Sequence, residues 1–269
     1  MKIAFIGAGQ MAEAIISGLV EKEEVQAQAI YATNKHDPEQ LQRLTDTYGI
    51  KTSEDVKEAV SESDVVIIAV KPKDKDAALS EIKALLPQST LVISVMAGVP
   101  TATIEAQLNA GVKVIRTMPN TSAKIGLGAT ALARGRFADD ASIDTAAFIF
   151  NAVGITEEIA EKDMHAITAV SGSGPAYFYY MVEAMMEEAV ALGLSETVSE
   201  AFIYQTILGA SHMLQEIDLP PAVLRENITS PNGTTEAGLK ALDQLKVKQA
   251  IRQAVKAAHD RSITLGKGE

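Results

Sequence analysis

A glycine-rich segment near the amino terminus has the composition of a phosphate-binding turn. The apolar run Ile3–Ile6 leads directly into GAGQMA at residues 7–12, and a helical pattern of apolar residues follows. In this G-x-G-x-x-A spacing, Gly7 permits a tight turn, Gly9 lets the backbone approach a pyrophosphate, and the small Ala12 lets helix and strand pack closely. The segment predicts a dinucleotide site at the start of a helix; the alternative is a glycine turn without a ligand.

Polar residues at the end of the predicted second strand indicate which dinucleotide is bound. An NAD site usually has Asp or Glu there to hold the ribose 2′-hydroxyl, whereas this chain has Asn34 and Lys35. A neutral donor followed by a cation suits a 2′-phosphate, because charge-assisted hydrogen bonds are the stronger ones. We therefore expect NADPH as the cofactor, with NADH as the alternative because Asp37 is close by.

Three further segments have the composition of ligand-binding loops. AVKP at residues 69–72 and the pair Ala97-Gly98 follow apolar runs, and in open parallel sheets ligands lie beyond the carboxyl ends of the strands. Lys71 suits a ribose or carboxamide contact, or is a solvated lysine. The segment NITSPNGTTEAGL, residues 227–239, presents hydroxyls and free amides at the start of a helix. The residues alone leave ligand binding and simple helix capping both open there.

Elements of two kinds must position these residues. Up to about residue 160, short β-branched runs alternate with helical patterns, which is typical of βα units and a parallel sheet. We expect strands at Ile3–Ile6 and at residues 29–32, 65–70, 91–95, 112–116, 129–133 and 155–158, and helices at 39–48, 75–85, 101–109 and 139–153. Gly111 and Gly154 are expected to be helix C-caps.

Beyond residue 160 the pattern is helical, at residues 175–192, Glu196–Glu216 and 235–265, the last with an interruption. The 62 residues from Asp163 to Leu224 contain no Lys or Arg, which favours burial against other helices. The sequence thus predicts an α/β fold: a Rossmann-type doubly wound sheet in residues 1–160, followed by an all-helical domain in residues 161–269 that forms a subunit interface.

Composition excludes several function classes. The 269 residues contain no cysteine, so thiolate metal sites and a cysteine nucleophile are excluded. The net charge of −11 opposes binding to nucleic acid or anionic membranes. No apolar run approaches the roughly 18 residues of a membrane span, and glycines interrupt the apolar start, so a cytoplasmic protein is expected. The 4 histidines show no metal-ligand spacing, and no metal is expected.

These segments occur in the order and spacing of a known family. FIGAGQMAEAI, AVKP, SVMAGV, RTMPN, SGSGPAYFY and TSPNGTTEAGL follow one another almost from end to end, and in them the chain resembles the pyrroline-5-carboxylate reductases, the last enzymes of proline biosynthesis. The last two segments are the specific ones, since the first alone indicates only a Rossmann domain. The resemblance implies an NAD(P)H-binding Rossmann domain, a helical dimerisation domain that interleaves with a partner, and hydride transfer to a cyclic imine.

The resemblance also implies roles for individual residues. The pyrophosphate would face Gly7, Ala8, Gly9, Gln10 and Met11, and the adenosine ribose would face Asn34 and Lys35. The nicotinamide side would be formed by Ala69, Val70, Lys71, Pro72, Ala97, Gly98 and Asn120. The substrate would be surrounded by Ser230, Gly233, Thr234 and Thr235, with Asn227 supporting their loop. Many members have Asn where this chain has Val56, so one cofactor contact is expected to be missing or replaced.

Thr235 is the predicted catalytic residue. Reduction of a C=N bond needs a hydride at carbon and a proton on nitrogen, and the imine nitrogen is basic enough to arrive protonated. A hydroxyl is therefore sufficient to position the ring nitrogen, and we assign this to Thr235. The substrate carboxylate is expected on the backbone amides of residues 233–235, because the helical half offers few cations.

Two other functions fit parts of the chain. A 3-hydroxyacid dehydrogenase also joins a Rossmann domain to a helical domain, but it uses a lysine in the first long helix of the second domain, where this chain has none. A catalytically silent NADP-binding sensor needs only the first half. The polar loop at residues 230–235 disfavours the sensor, because it would otherwise only destabilise a helical bundle. The expected assembly is a homodimer or a larger homo-oligomer built from dimers.

Overall fold

A computed structural model describes residues 1–266 and divides them into two compact units. The first comprises Met1–Pro175 together with the C-terminal stretch from Ala258 onward, and the second comprises Ala176–Ala257. These units follow from contacts within the chain. The functional boundary at residue 160 between a nucleotide domain and a helical domain stays a prediction.

A single sheet forms the centre of the first unit. Its strands in the described part of the chain are β1 (Ile3–Ile6), β2 (Ile30–Thr33), β3 (Lys51–Ser53), β4 (Val65–Ile68), β5 (Leu91–Ser94), β6 (Lys113–Met118), β7 (Gly128–Arg134) and β8 (Gly154–Glu158). They lie in the order β3-β2-β1-β4-β5-β6-β7-β8, and only the β6–β7 pair among them is antiparallel. This order confirms the predicted doubly wound Rossmann sheet.

Helices cover both faces of this sheet. They are α1 (Gln10–Glu21), α2 (Pro38–Tyr48), α3 (Val56–Val60), α4 (Lys75–Lys83), α5 (Thr101–Gln107), α6 (Asp140–Asn151) and α7 (Met164–Ile167), with a π-helical turn at Thr168–Gly172. Because successive strand side chains point to opposite faces, β1 packs Phe5 into one apolar cluster and Ala4 and Ile6 into another. The first cluster includes residues of α1 and α6, and the second includes residues of α4 and α5. The two apolar clusters, one on each face of the sheet, therefore hold the strands and their ends in place.

The two predicted glycine C-caps are wrong. Helix α5 ends at Gln107 with Leu108 as its C-cap, and α6 ends at Asn151 with Ala152 as its C-cap. Gly111 instead lies in the turn before β6, and Gly154 begins β8. The predicted helices were too long because apolar residues just past each helix end, such as Leu108 and Val153, are buried in the core without being helical.

The second unit is helical. Its elements are most of α8 (Gly174–Ala191), α9 (Glu196–Glu216), α10 (Pro221–Asn227), α11 (Thr234–Gln244) and the first half of α12 (Val247–Gly266). The predicted interruption lies between α11 and α12, where Lys246 adopts φ +55°. Helix α10 was not predicted. No helix described here is long and apolar enough to cross a membrane.

The apolar side chains of α8 and α9 are not buried within the single chain. Tyr180 is 76% exposed and Phe202 is 71% exposed, and several neighbouring Phe, Tyr, Met and Leu side chains are exposed with them. The expected burial against other helices is therefore not met inside one copy. Exposed apolar surface of this kind marks an interaction site.

His165 connects α7 to the end of α12 within the first unit. Its Nδ1 shares a hydrogen bond of 2.9 Å with the Ser262 hydroxyl, and its ring meets His259 edge-on at a centroid distance of 6.5 Å. Burial lowers the pKa of His165, and the positive charge of Arg116 lowers this pKa further. The folded chain therefore favours the neutral imidazole.

We expect the free energy of unfolding to decrease as pH falls below about 6.5. In that range the unfolded chain takes up a proton at this histidine while folded His165 stays neutral, so acidification favours unfolding. Urea titrations at one protein concentration, at about pH 7.5 and about pH 6.0, measure the decrease. His165→Asn should make it smaller; an equal decrease in the variant contradicts the assignment.

Candidate functional site

A groove of about 650 Å³ opens beyond the carboxyl ends of β1, β2 and β4. Its walls are the loops after these three strands, the start of α3 and one face of α4, and it is lined by Gly7, Ala8, Gly9, Asn34, Lys35, His36, Asp37, Val56, Ala69, Val70, Lys71, Lys73, Asp74, Ala77, Ala78 and Glu81 among others. The groove lies where the strand order reverses between β1 and β4, the position at which open α/β sheets bind ligands.

The glycine turn after β1 fits a pyrophosphate. Gly7 has φ +100°, and a Cβ there would lie 2.8 Å from the carbonyl oxygen of Ala69, so no other residue fits. At Gly9 a Cβ would meet nothing within 4 Å, which leaves the backbone open to a ligand. Gly9 is also the N-cap of α1 and has no side chain to cap it, so first-turn amides remain for an anion.

In the loop after β2, Lys35 lines the groove, whereas the carboxylate of Asp37 is used to cap a helix. Asp37 caps α2 by accepting a hydrogen bond of 2.9 Å from the Gln40 amide, so its carboxylate already has a structural partner. The Asn34 side chain accepts from the amide of His36 at 3.1 Å. Lys35 Nζ lies 2.7 Å from the Glu81 carboxylate of α4. Asn34 and Lys35 thus keep the neutral donor and the cation that suit a 2′-phosphate, with Glu81 as the ionic partner of the cation.

An apolar wall completes this end of the groove. Val56, the first residue of α3, is 3% exposed and lines the groove together with Ala77 and Ala78 of α4. Such a surface suits the face of a planar base. That Val56 removes or replaces a cofactor contact stays a prediction.

The remaining predicted cofactor residues lie on the same edge of the sheet but do not line this groove. Gln10 and Met11 begin α1, Pro72 starts the 3₁₀ turn Pro72–Asp74, and Ala97, Gly98 and Asn120 follow β5 and β6. Because β1, β2, β4, β5 and β6 are parallel, their carboxyl ends face one side. Of the predicted cofactor residues, the groove thus collects Gly7, Ala8, Gly9, Asn34, Lys35, Ala69, Val70 and Lys71, and the others lie outside it.

The side chain of Asn120 is held by the protein itself. Its amide nitrogen donates to the Ser171 hydroxyl at 3.2 Å, and its carbonyl oxygen accepts from the amide of Ala129 at 3.3 Å. Ser171 lies in the π-helical turn, where Gly172 packs on Met118; a Cβ at Gly172 would lie 2.7 Å from the Met118 methyl group. The SGSGP segment therefore supports the loop after β6.

A buried ion pair holds the loop after β5, and sequence reasoning did not predict it. Arg116 is 2% exposed, and its Nη1 lies 3.4 Å from Glu161. Glu161 also accepts hydrogen bonds of 2.7 Å from the Thr101 amide and hydroxyl, and Thr101 begins α5 directly after the Ala97–Gly98 loop. Burial lowers the pKa of Arg116, while the negative charge of Glu161 raises it. Glu161 thus neutralises a buried cation and anchors this loop.

The second unit contains the predicted substrate loop. Ser230 to Gly233 form a turn closed by a 3.0 Å hydrogen bond from the Gly233 amide to the Ser230 carbonyl, with Pro231 second and Asn232 third at φ +59°. This is the sequence signature of a type II turn. Thr234 and Thr235 are exposed and begin α11, while Asn227 is the exposed last residue of α10. The N-cap Gly233 leaves the first-turn amides of α11 without a side-chain cap.

Glu236 holds this loop in place, and sequence reasoning did not identify it. Its carboxylate accepts a hydrogen bond of 2.8 Å from the Asn232 amide and pairs with Lys240 at 3.3 Å. These contacts lower the pKa of Glu236, the backbone hydrogen bond most strongly. A usable signal exists, because an acidic residue three positions after an N-cap often reaches back over the helix start.

Comparisons with known proteins agree along the whole chain. A family model described as pyrroline-5-carboxylate reductase dimerisation matches residues 161–265, and one described as NADP oxidoreductase, coenzyme F420-dependent, matches residues 2–98. Pyrroline-5-carboxylate reductase 1 of Bacillus spizizenii is 43% identical over 261 residues, which are 97% of this chain and 88% of that protein.

Solved structures give the same result. A pyrroline-5-carboxylate reductase from Coxiella burnetii aligns with a TM-score of 0.91 at 35% identity and covers 98% of both chains. The Plasmodium falciparum pyrroline carboxylate reductase with NADP bound aligns with a TM-score of 0.90 at 30% identity, over 99% of this chain and 98% of that one.

We expect Glu161→Ala to destabilise the chain by about 3 kcal/mol, because it leaves the buried Arg116 without its counter-charge. Glu161→Gln keeps one carbonyl oxygen that can accept from Thr101 and should cost less. Urea unfolding at a fixed protein concentration measures both. Glu62→Ala, which breaks the exposed pair with Lys2, is the control and should change stability little; an equal effect of the Glu161 and Glu62 variants contradicts the role of burial.

Proposed function

The chain belongs to the pyrroline-5-carboxylate reductase family, and from this we propose that it reduces the C=N bond of 1-pyrroline-5-carboxylate to give L-proline, with NAD(P)H as the reductant. The observation that carries the proposal is the 43% identity that extends over 97% of the chain. It is supported by a glycine turn that fits a pyrophosphate at the strand switch point. A silent sensor would need neither the substrate loop nor its Glu236 support.

The residues of the groove would hold the cofactor. Gly7, Ala8 and Gly9 leave room for the pyrophosphate, with the amides of Gln10 and Met11 at the start of α1. When bound, the reduced nicotinamide supplies the hydride that the imine carbon accepts. We assign its side of the site to residues 69–72 with Ala97, Gly98 and Asn120. We assign NADPH as the preferred form, because Lys35 provides a cation for the 2′-phosphate and Asp37 is engaged in capping α2.

The substrate carboxylate would bind at the start of α11. The amides of Thr234 and Thr235 lie at the positive end of a helix of 11 residues. The Gly233 amide, which was expected to join them, already donates to the Ser230 carbonyl. The turn from Ser230 to Gly233 and the support from Glu236 keep this end rigid. No cationic side chain is needed for recognition of the carboxylate in this arrangement.

Thr235 would orient the imine rather than protonate it. The ring nitrogen arrives protonated, so its N–H can donate to the Thr235 hydroxyl oxygen. This hydrogen bond fixes the plane of the C=N bond for attack at carbon, and the nitrogen keeps its proton in the product.

The subunit contact would be formed by α8 and α9. Their exposed aromatic side chains, Tyr180 and Phe202 among them, lie in the segment that the dimerisation model matches. A homodimer built through these helices would cover them. Larger assemblies of dimers and a cytoplasmic location stay predictions.

The purified chain should oxidise NADPH when 1-pyrroline-5-carboxylate is present and should form proline. Loss of the nicotinamide absorbance measures the rate, and NADH in place of NADPH gives the cofactor preference. Faster reaction with NADH would keep the activity and contradict the 2′-phosphate argument. Cofactor binding without oxidation of either form would favour the sensor.

Thr235→Ala should lower kcat by about 10²-fold, the loss typical of a reacting group that is no longer held in the right orientation. Thr235→Ser keeps the hydroxyl and should retain most of the rate. Steady-state kinetics at saturating NADPH measure kcat and KM for the imine, and calorimetry verifies unchanged cofactor binding. Full turnover by the alanine variant would exclude the role.

A further inference from the structure

An ion pair spans the groove at its ribose end. Lys35 follows β2 and Glu81 lies on α4, and their charged groups are 2.7 Å apart. The Glu81 side chain is 32% exposed and that of Lys35 is 54% exposed. Both residues line the same groove, so the residue assigned to the 2′-phosphate already has an anionic partner.

Glu81 has no other role in the interactions described for it. It lies one helical turn beyond Ala77 on the face of α4 that lines the groove, and Lys35 is the ionic partner found for it among residues 1–266. By contrast, the nearby Asp37 caps a helix. A carboxylate placed against the wall that we assign to the 2′-phosphate therefore calls for a functional explanation.

We propose that Glu81 is a specificity-determining residue for the cofactor, because its carboxylate competes with the ribose 2′-phosphate of NADP(H) for Lys35. The inference rests on the proposed NAD(P)H-dependent function and concerns the ribose end of that site. A 2′-phosphate must displace Glu81 from Lys35. A 2′-hydroxyl leaves the pair intact and can donate to the Glu81 carboxylate.

The expected size of the effect follows from the exposure of the pair. Partly exposed ion pairs contribute little stability because water and salt screen them, so Glu81 moderates binding of the phosphate and does not abolish it. Lys71 and Lys73 also line the groove and remain as further cations. Glu81 thus narrows the difference in affinity between NADP(H) and NAD(H).

Calorimetric titration of the full chain with NADP⁺ and with NAD⁺ tests the proposal without the imine. Glu81→Gln keeps the size of the side chain and removes its charge; it should tighten NADP⁺ binding by about 5-fold and change NAD⁺ binding by less than about 2-fold. Glu62→Gln makes the same charge change at the exposed pair with Lys2, before β1, and should alter neither affinity. Unchanged or weaker NADP⁺ binding by Glu81→Gln would overturn the proposal.

The same titrations in a Lys35→Met background show whether Glu81 acts through Lys35. There the additional Glu81→Gln change should tighten NADP⁺ binding by less than about 2-fold. An equal gain with and without Lys35 would overturn the competition. Wild-type chain that binds neither dinucleotide would refute the proposed function as well, whereas binding with no selective effect of Glu81→Gln refutes this inference alone.

Discussion

The close approach of two backbones, at Gly7 and Ala69, is the constraint on which the nucleotide groove depends. The Ala69 amide bonds to the Ile6 carbonyl at 2.8 Å, so β1 and β4 stay paired to their ends and the chain must turn away at the next residue. A side chain at position 7 would collide with the Ala69 carbonyl. The turn at Gly7 starts α1 close to the sheet edge, and the loops after β2 and β4 then become the two walls. We therefore expect residues on these walls to determine the cofactor preference.

Local features of the fold were predictable from the sequence, and distant pairings were not. Strand β1 and helix α9 match their predicted bounds, because an apolar run or a long helical pattern is visible in neighbouring residues. Strand β3 was missed because it has only polar residues, KTS, at the edge of the sheet. The ion pair of Arg116 and Glu161 joins residues 45 positions apart. No local sequence pattern predicts which acidic residue will pair with a buried arginine. The glycine turn, by contrast, can be recognised from six consecutive residues, GAGQMA.

The helical unit is rich in the apolar side chains typical of a protein core, but in the single chain many of them are exposed. Large aromatic side chains remove about 150–250 Å² each when covered, at roughly 25 cal/mol per Å² of apolar surface, so association through α8 and α9 is strongly favoured. This explains the absence of Lys and Arg from Asp163 to Leu224, since a flexible cation would have to be desolvated at such a contact. We therefore expect the stability of this unit, which contains the proposed substrate loop, to depend on assembly.

The proposed substrate loop is suited to position a substrate and not to donate a proton to it. Glu236 is the one acid in residues 230–236, and its contacts with the Asn232 amide and Lys240 lower its pKa, so it stays ionised at neutral pH and has no proton to give. Its charge instead holds Asn232 at φ +59° and so fixes the turn before α11. The hydroxyls of Ser230, Thr234 and Thr235 remain as weakly acidic groups. A substrate whose nitrogen arrives protonated would need nothing stronger, and the amides of Thr234 and Thr235 would bind its carboxylate without a cation.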